Sequence, residues 1–151
     1  MSVAPGAGPG GADPFDLARF VAAQAPVFDR ALAELRAGHK RGHWMWFVFP
    51  QLRGLGRSPT AVEFGIGSLA EACAYLAHPV LGPRLVTCAE ALLALPRADP
   101  EQVLGSIDAV KLRSSMTLFS VADPGQVVFT SVLERCFDGE PDPLTLQLLA
   151  G

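Results

Sequence analysis

The sequence predicts an all-α fold: a multihelical single domain with one irregular segment rich in basic and aromatic residues. Apolar residues recur every three or four positions along most of the chain, which is the spacing of one helix face. Proline, glycine and capping residues divide this pattern into short segments, and no strand–helix–strand alternation interrupts it. Half of the 151 residues are hydrophobic and 18% are charged, as in compact domains of ordinary size.

Residues 1–12 are expected to form a disordered leader before a single helical domain over residues 13–151. The leader is rich in Gly, Pro and Ala and lacks the basic and apolar regions of a signal peptide. No apolar run approaches the length of a membrane span, so no membrane partner is expected. Three widely spaced cysteines favour neither a disulfide framework nor a zinc site and indicate a reducing, cytoplasmic location.

The first two helices are indicated by their terminal residues. Asp13 and Pro14 are typical of a helix N-terminus, and the first helix is predicted to run to about residue 24. Pro26 either starts a second helix or kinks the first, and Gly38 is expected to end the second helix.

The later helices follow the irregular segment and a loop over residues 50–60, which is indicated by Gly54, Gly56 and Pro59. Ser68 and Glu71 match the capping box at the start of a helix. Asp142 with Pro143 begins a last, leucine-rich helix. Helical segments are expected at 69–77, from there to about 95, at 108–122, at 128–137 and from 143 onward, with a short turn around 101–105.

The irregular segment is the strongest indication of a functional site. Residues 35–62 contain no Asp or Glu, although the whole chain has a formal net charge of −3. The same residues include five Lys or Arg, two His and both tryptophans of the protein. Cations interleaved with aromatic faces suit a ligand that carries anionic groups and a flat ring. The acidic chain as a whole argues against general coating of nucleic acid.

Several runs resemble domain-of-unknown-function family 1810 (DUF1810). They are DPF at residues 13–15, HWMWFVFPQ at 43–51, GLGRS at 54–58, HPVLG at 78–82 and KLRSSMTLF at 111–119. The resemblance spans residues 13–149 and implies a small, mostly α-helical fold with no established reaction. The family pattern usually has Ser or Thr before the His–Trp pair, where this chain has Gly42. The name calpastatin, which some members carry, does not fit, because calpain inhibitors are long, polar and disordered.

The predicted ligand-binding residues fall in two places. The basic-aromatic segment and its loop offer rings, cations and polar groups, and the 111–119 helix offers hydroxyls beside cations. The alternatives are a packed aromatic core with solvated cations, a tight glycine turn, and hydroxyls bonded within their own helix. The predicted ligand-binding residues are Lys40, Arg41, Trp44, Trp46, Phe49, Gln51, Arg53, Arg57, Ser58, Arg113, Ser114 and Ser115.

No complete catalytic signature accompanies these residues. The candidate catalytic residues are His43, Lys111 and Glu63. His43 is a candidate general acid or base, and Glu63 would supply a catalytic carboxylate. His39 and His43 lie four residues apart, but the intervening Gly42 and the absence of a nearby carboxylate argue against a metal site. No cofactor or metal is predicted.

Three functions remain open from the sequence. The first is a hydrolase of glycosidic or phosphate-linked bonds that acts on a nucleotide-like or ADP-ribose-like ligand. The second is a non-catalytic module that binds a small anionic or nucleotide-like ligand, or a modified base in nucleic acid. The third is a protein-interaction domain whose aromatic run is a packing seam. The first two require the tryptophan-bearing segment and the Lys111 helix to face one shared cavity.

Overall fold

The computed structural model describes residues 12–96 and 99–151, so the predicted leader lies outside the described residues apart from Ala12. The described residues form ten helices and no strand, which confirms the all-α prediction. The helices are α1 (Ala18–Gln24), α2 (Phe28–Ala37), α3 (Met45–Val48), α4 (Pro59–Glu63), α5 (Leu69–Ala77), α6 (Leu81–Leu93), α7 (Pro100–Leu104), α8 (Ser106–Ala122), α9 (Val127–Phe137) and α10 (Pro143–Ala150).

Capping side chains set three helix starts: those of α5 and α10 match the prediction, whereas α4 begins within the predicted 50–60 loop. The Ser58 hydroxyl accepts the Ala61 N–H at 3.1 Å and starts α4. Ser68 does the same for α5 through the N–H of Glu71, and the Asp142 carboxylate accepts the Thr145 N–H of α10 at 2.9 Å. Each bond satisfies a backbone donor that has no partner inside its helix.

The start of α1 and the capping of α5 differ from the prediction. The Asp13 carboxylate accepts the N–H groups of Leu17 and Ala18, but Asp16 has a φ of 52°, so α1 begins only at Ala18. The capping box of α5 is incomplete because the Glu71 carboxylate accepts the N–H of Gly67 at 2.8 Å and pairs with an arginine of α1. The Glu71 carboxylate therefore belongs to a buried ion pair, whereas the local pattern predicts that it caps the start of α5.

Helix α8 is the centre of the fold. It packs against α5, α7, α9 and α10, and its middle residues, 114–119, are all buried. Phe119 of α8 joins a row of buried rings: it lies 5.3 Å from Tyr75 and 5.8 Å from Phe129 between ring centroids. Burial of such aromatic rings is the main stabilising contribution in a helical core.

The segment between α3 and α5 is tied down by one arginine. The Arg53 guanidinium donates to the carbonyl oxygens of Val62 at 3.2 Å and Gly65 at 2.9 Å. The backbone N–H of Arg53 donates to the Ile66 carbonyl at 2.7 Å, beside an isolated parallel bridge between Leu52 and Ile66. These bonds hold the loop after α3 against the end of α4 and the segment that follows it. Within the described ranges, no helix has the length and apolar character needed to cross a bilayer.

Candidate ligand-binding site

A cleft of about 490 Å³ lies between the loop after α3, the first turns of α8 and the start of α10. Its polar lining comes from all three elements: Gln51, Arg57, Ser58, Lys111, Ser114 and Asp142. Its apolar lining is formed by Trp46, Leu55, Ala61, Ile107, Val110 and Leu144, beside Gly56. A larger recess of about 620 Å³ borders Ala12 and α1, but its extent depends on neighbouring residues that the structure does not describe.

The aromatic segment and the 111–119 helix meet at Trp46 and Lys111. The Lys111 ammonium lies 4.2 Å from the centroid of the Trp46 ring, which is cation–π distance. Both side chains line the cleft. The hydrolase and the binding module both require the tryptophan-bearing segment and the Lys111 helix to face one cavity. Trp46 and Lys111 meet this requirement.

Asp108 links two lysines at one end of the cleft. Its carboxylate oxygens contact the Lys40 ammonium at 2.8 Å and the Lys111 ammonium at 3.1 Å. Burial raises the pKa of Asp108, but the hydrogen bonds and charges of the two lysines outweigh burial and hold that pKa below its ordinary value. Two cations and one anion leave this triad with a net positive charge.

Trp44 and Phe49 lie in the core, away from the cleft. Trp44 is 1% exposed and Phe49 is fully buried, with their ring centroids 6.4 Å apart. The Trp44 indole N–H donates to the Glu34 carboxylate at 2.9 Å, and the Lys40 ammonium lies 5.1 Å from its ring. For these two side chains the structure shows packing, which the sequence left open as the alternative to ligand contact.

Of the loop residues, Gln51, Arg57 and Ser58 line the cleft. In the described part of the chain, the exposed Arg57 guanidinium has no hydrogen-bonded or ion-paired partner. Arg53 instead anchors the loop, and exposed Arg41 offers only its backbone N–H to Glu34 at 2.8 Å. The loop therefore supplies one cation to the cleft.

The 111–119 helix divides its polar residues between three environments. Ser114 lines the cleft, although its hydroxyl donates to the Val110 carbonyl at 3.2 Å within the helix. The Arg113 guanidinium donates to the Glu140 carbonyl at 2.9 Å, outside the cleft. Ser115 is fully buried, and its hydroxyl has no hydrogen-bond partner among the described residues.

His43 and Glu63 do not line the cleft. His43 lines a separate, adjoining recess of about 290 Å³ together with Lys40. Glu63, the last residue of α4, has an exposed side chain, and its carbonyl accepts the Arg19 guanidinium at 2.7 Å. The three candidate catalytic residues are thus spread over three places, with Lys111 alone in the cleft.

Asp142 is a cleft residue that the sequence identified only as a helix cap. One carboxylate oxygen accepts the N–H and the hydroxyl of Thr145, at 2.9 and 2.6 Å. The other has no partner among the described residues, and the side chain lines the cleft. The Asp–Pro pair carries no signal of this second position, because only the packing of α10 against α8 brings it there. In the described ranges, no group of three His, Cys, Asp or Glu side chains could hold a metal ion.

The family model for Protein of unknown function (DUF1810) matches residues 14–149. The chain belongs to this family. It is also similar to the crystal structure of the conserved hypothetical protein Rv1873 from Mycobacterium tuberculosis, with 54% sequence identity and a TM-score of 0.90. That match covers 92% of this chain and 99% of the other. No curated protein matches the sequence.

Proposed function

We propose that the cleft binds a nucleotide-like ligand, in which a flat ring and an anionic group are joined. The observation that carries this proposal is the pairing of the Trp46 ring with the Lys111 ammonium, 4.2 Å apart, in a cleft that also holds the unpartnered cation of Arg57. A ring surface and two cations within one cavity match the two parts of such a ligand.

The apolar and cationic parts of the lining have separate roles in this proposal. The ligand ring packs on the part of Trp46 that Lys111 leaves open and against Leu55, Val110 and Leu144. Stacking of a base on an aromatic side chain contributes roughly 1–3 kcal/mol. The phosphate contacts Lys111 and Arg57, and an arginine can bind it through two parallel hydrogen bonds.

A hydrolase that acts on this ligand is the second candidate, and Asp142 favours it. Its unpartnered carboxylate oxygen is a possible general base, and it shares the cleft with Lys111. The Lys111 ammonium, which the Asp108 carboxylate contacts at 3.1 Å, suits stabilisation of a developing negative charge. In this hypothesis the enzyme cuts a glycosidic or phosphate-linked bond of an ADP-ribose-like group. That group is either a free small molecule or attached to nucleic acid.

Binding is tested by thermal-shift screening with ADP, ADP-ribose and NAD, followed by titration calorimetry. We expect stabilisation by at least one of them at millimolar concentration and weaker affinity at higher salt, because phosphate contacts are screened. Trp46→Ala and Lys111→Met should each weaken binding at least about ten-fold, as expected for loss of one stacking or charge-assisted contact.

Arg30→Ala is the matched control, since Arg30 is an exposed arginine of α2 that lines none of these recesses. It should leave the affinity unchanged. Absence of stabilisation by all three compounds would remove the proposal. An equal loss in all three variants would show that binding is not at the cleft.

Turnover separates the two candidates. Mass spectrometry of the same ligands after incubation should show hydrolysis products only for an enzyme, and Asp142→Asn should then abolish them. Asn caps helices about as well as Asp, so the start of α10 is kept. If the unmodified protein binds a ligand without hydrolysing it, the protein is a non-catalytic binding module. For either function we propose a cytoplasmic location, which suits the three free cysteines.

A further inference from the structure

A second recess of about 290 Å³ adjoins the cleft, with Trp46 and Ile107 lining both. Its polar lining is formed by Lys40, His43, Ser106 and Asp108. One ligand can therefore extend from one recess into the other past the Trp46 ring. The two volumes together lie within the roughly 300–1,000 Å³ of small-molecule sites.

The charges of the second recess differ from those of the cleft. The Lys40 ammonium contacts the Asp108 carboxylate at 2.8 Å and donates to the Gly42 carbonyl at 2.5 Å. Its charge is thus compensated inside the recess. Lys111 shares the Asp108 carboxylate at 3.1 Å, and the cleft adds Arg57, which has no ion-paired partner among the described residues. A phosphate is favoured in the cleft and an uncharged polar group in the recess.

The hydrogen-bonding groups of the recess suit hydroxyls. Each Asp108 oxygen accepts one lysine bond and keeps a second lone pair for another donor. Within the described part of the chain, the Ser106 hydroxyl and the His43 ring nitrogens have no hydrogen-bond partner. A carboxylate, a hydroxyl and an imidazole together can accept from and donate to adjacent hydroxyls of a sugar.

The geometry points to a sugar-binding subsite in this recess. The ligand class is then a nucleoside diphosphate whose terminal phosphate carries a sugar: its base and phosphates occupy the cleft, and the sugar occupies the recess. This assignment rests on the proposed function of the cleft and adds the part of the ligand that the cleft does not hold.

The test compares ADP with ADP-ribose by titration calorimetry on the full chain. We expect ADP-ribose to bind about ten-fold more tightly than ADP, since two added hydrogen bonds contribute on that scale. The double variant His43→Ala, Ser106→Ala should bind both compounds equally while keeping the affinity for ADP. Ser106 makes no capping bond in α8, so its loss does not disturb the helix start.

His39→Ala with Ser131→Ala is the matched control, because neither residue lines the cleft or the recess. This variant should retain the full preference for ADP-ribose. Equal affinities in the unmodified protein, or a preference that survives the His43 and Ser106 substitutions, would overturn the subsite while ADP binding still supports the cleft. Failure of both compounds to bind would overturn the subsite, and failure of NAD as well would overturn the proposed function.

Discussion

Trp44 and Trp46 are two residues apart and have different surroundings. Trp44 is 1% exposed, packs near Phe49 and donates its indole N–H to Glu34. Trp46 is half-buried, lines the cleft and lies against the Lys111 ammonium. Trp44 directly precedes α3, and Trp46 lies in its first turn. The start of this short helix therefore separates the two rings, one in the core and the other in the cleft.

The difference shows that one sequence motif can supply residues both to the core and to the lining of a cleft. The HWMWF run is a single block in the sequence, but its cations and rings divide between two environments. Lys40 and Lys111 repeat the same division: each ammonium lies near one of the two rings, and Asp108 joins them. Substitutions on the two sides should therefore have separable effects on stability and on ligand binding.

The largest expected effect separates the two tryptophans directly. Trp44→Ala should lower the free energy of unfolding by roughly 3–5 kcal/mol, as for other large truncations in a core. Trp46→Ala should cost only about 1 kcal/mol, the average for a substitution that leaves no buried cavity. Urea denaturation followed by circular dichroism measures both. Equal losses would contradict the division between core and cleft.

A smaller loss of stability is expected on substitution of Glu34, which contacts the core residue Trp44 and does not line the cleft. Glu34→Ala leaves the buried Trp44 indole N–H without its acceptor, and we expect a loss of about 2 kcal/mol. Urea denaturation at pH 7 measures it. The affinity for a cleft ligand should not change, because Glu34 lines neither recess. If Glu34→Ala lost ligand binding but kept its stability, the assignment of Trp44 to the core and Trp46 to the cleft would be contradicted.

The same carboxylate gives a pH dependence. Burial raises the pKa of Glu34, but the N–H groups of Gly42 and Arg41, the Trp44 indole and the Lys40 charge together lower it below its ordinary value of 4.5. A lowered pKa in the folded protein stabilises the fold above the unfolded pKa, and this contribution is lost as pH falls through the folded pKa. The unmodified protein should therefore lose more stability than Glu34→Ala between pH 6 and pH 3.

The smallest effect is expected at Gly42. A Cβ atom there would lie 2.9 Å from the Trp44 ring, so the ring must shift to accommodate it. Gly42→Ala should therefore cost about 1 kcal/mol, at the low end for overpacking. Gly125→Ala is the control, since its added Cβ would meet Asp123 at an ordinary 3.5 Å. A stabilised Gly42→Ala protein would show that the Trp44 pocket has spare room.

The sequence by itself determined the all-α class, most helix bounds and the location of the basic-aromatic segment. These features depend on local chemistry: apolar spacing, capping by Ser68 and Asp142, and the left-handed backbone at Gly38 with its φ of 76°. Each involves residues only a few positions apart. For that reason a single sequence was sufficient to predict them.

Only the tertiary structure decided which residues of that segment face a cavity. Trp44 and Trp46 have the same side chain, and nothing local separates Arg53, which anchors a loop, from Arg57, which faces the cleft. The positions of Lys111 and Asp142 in the cleft depend on how α8 and α10 pack against distant parts of the chain. Such contacts join residues that are far apart in sequence, and helical periodicity carries no information about them.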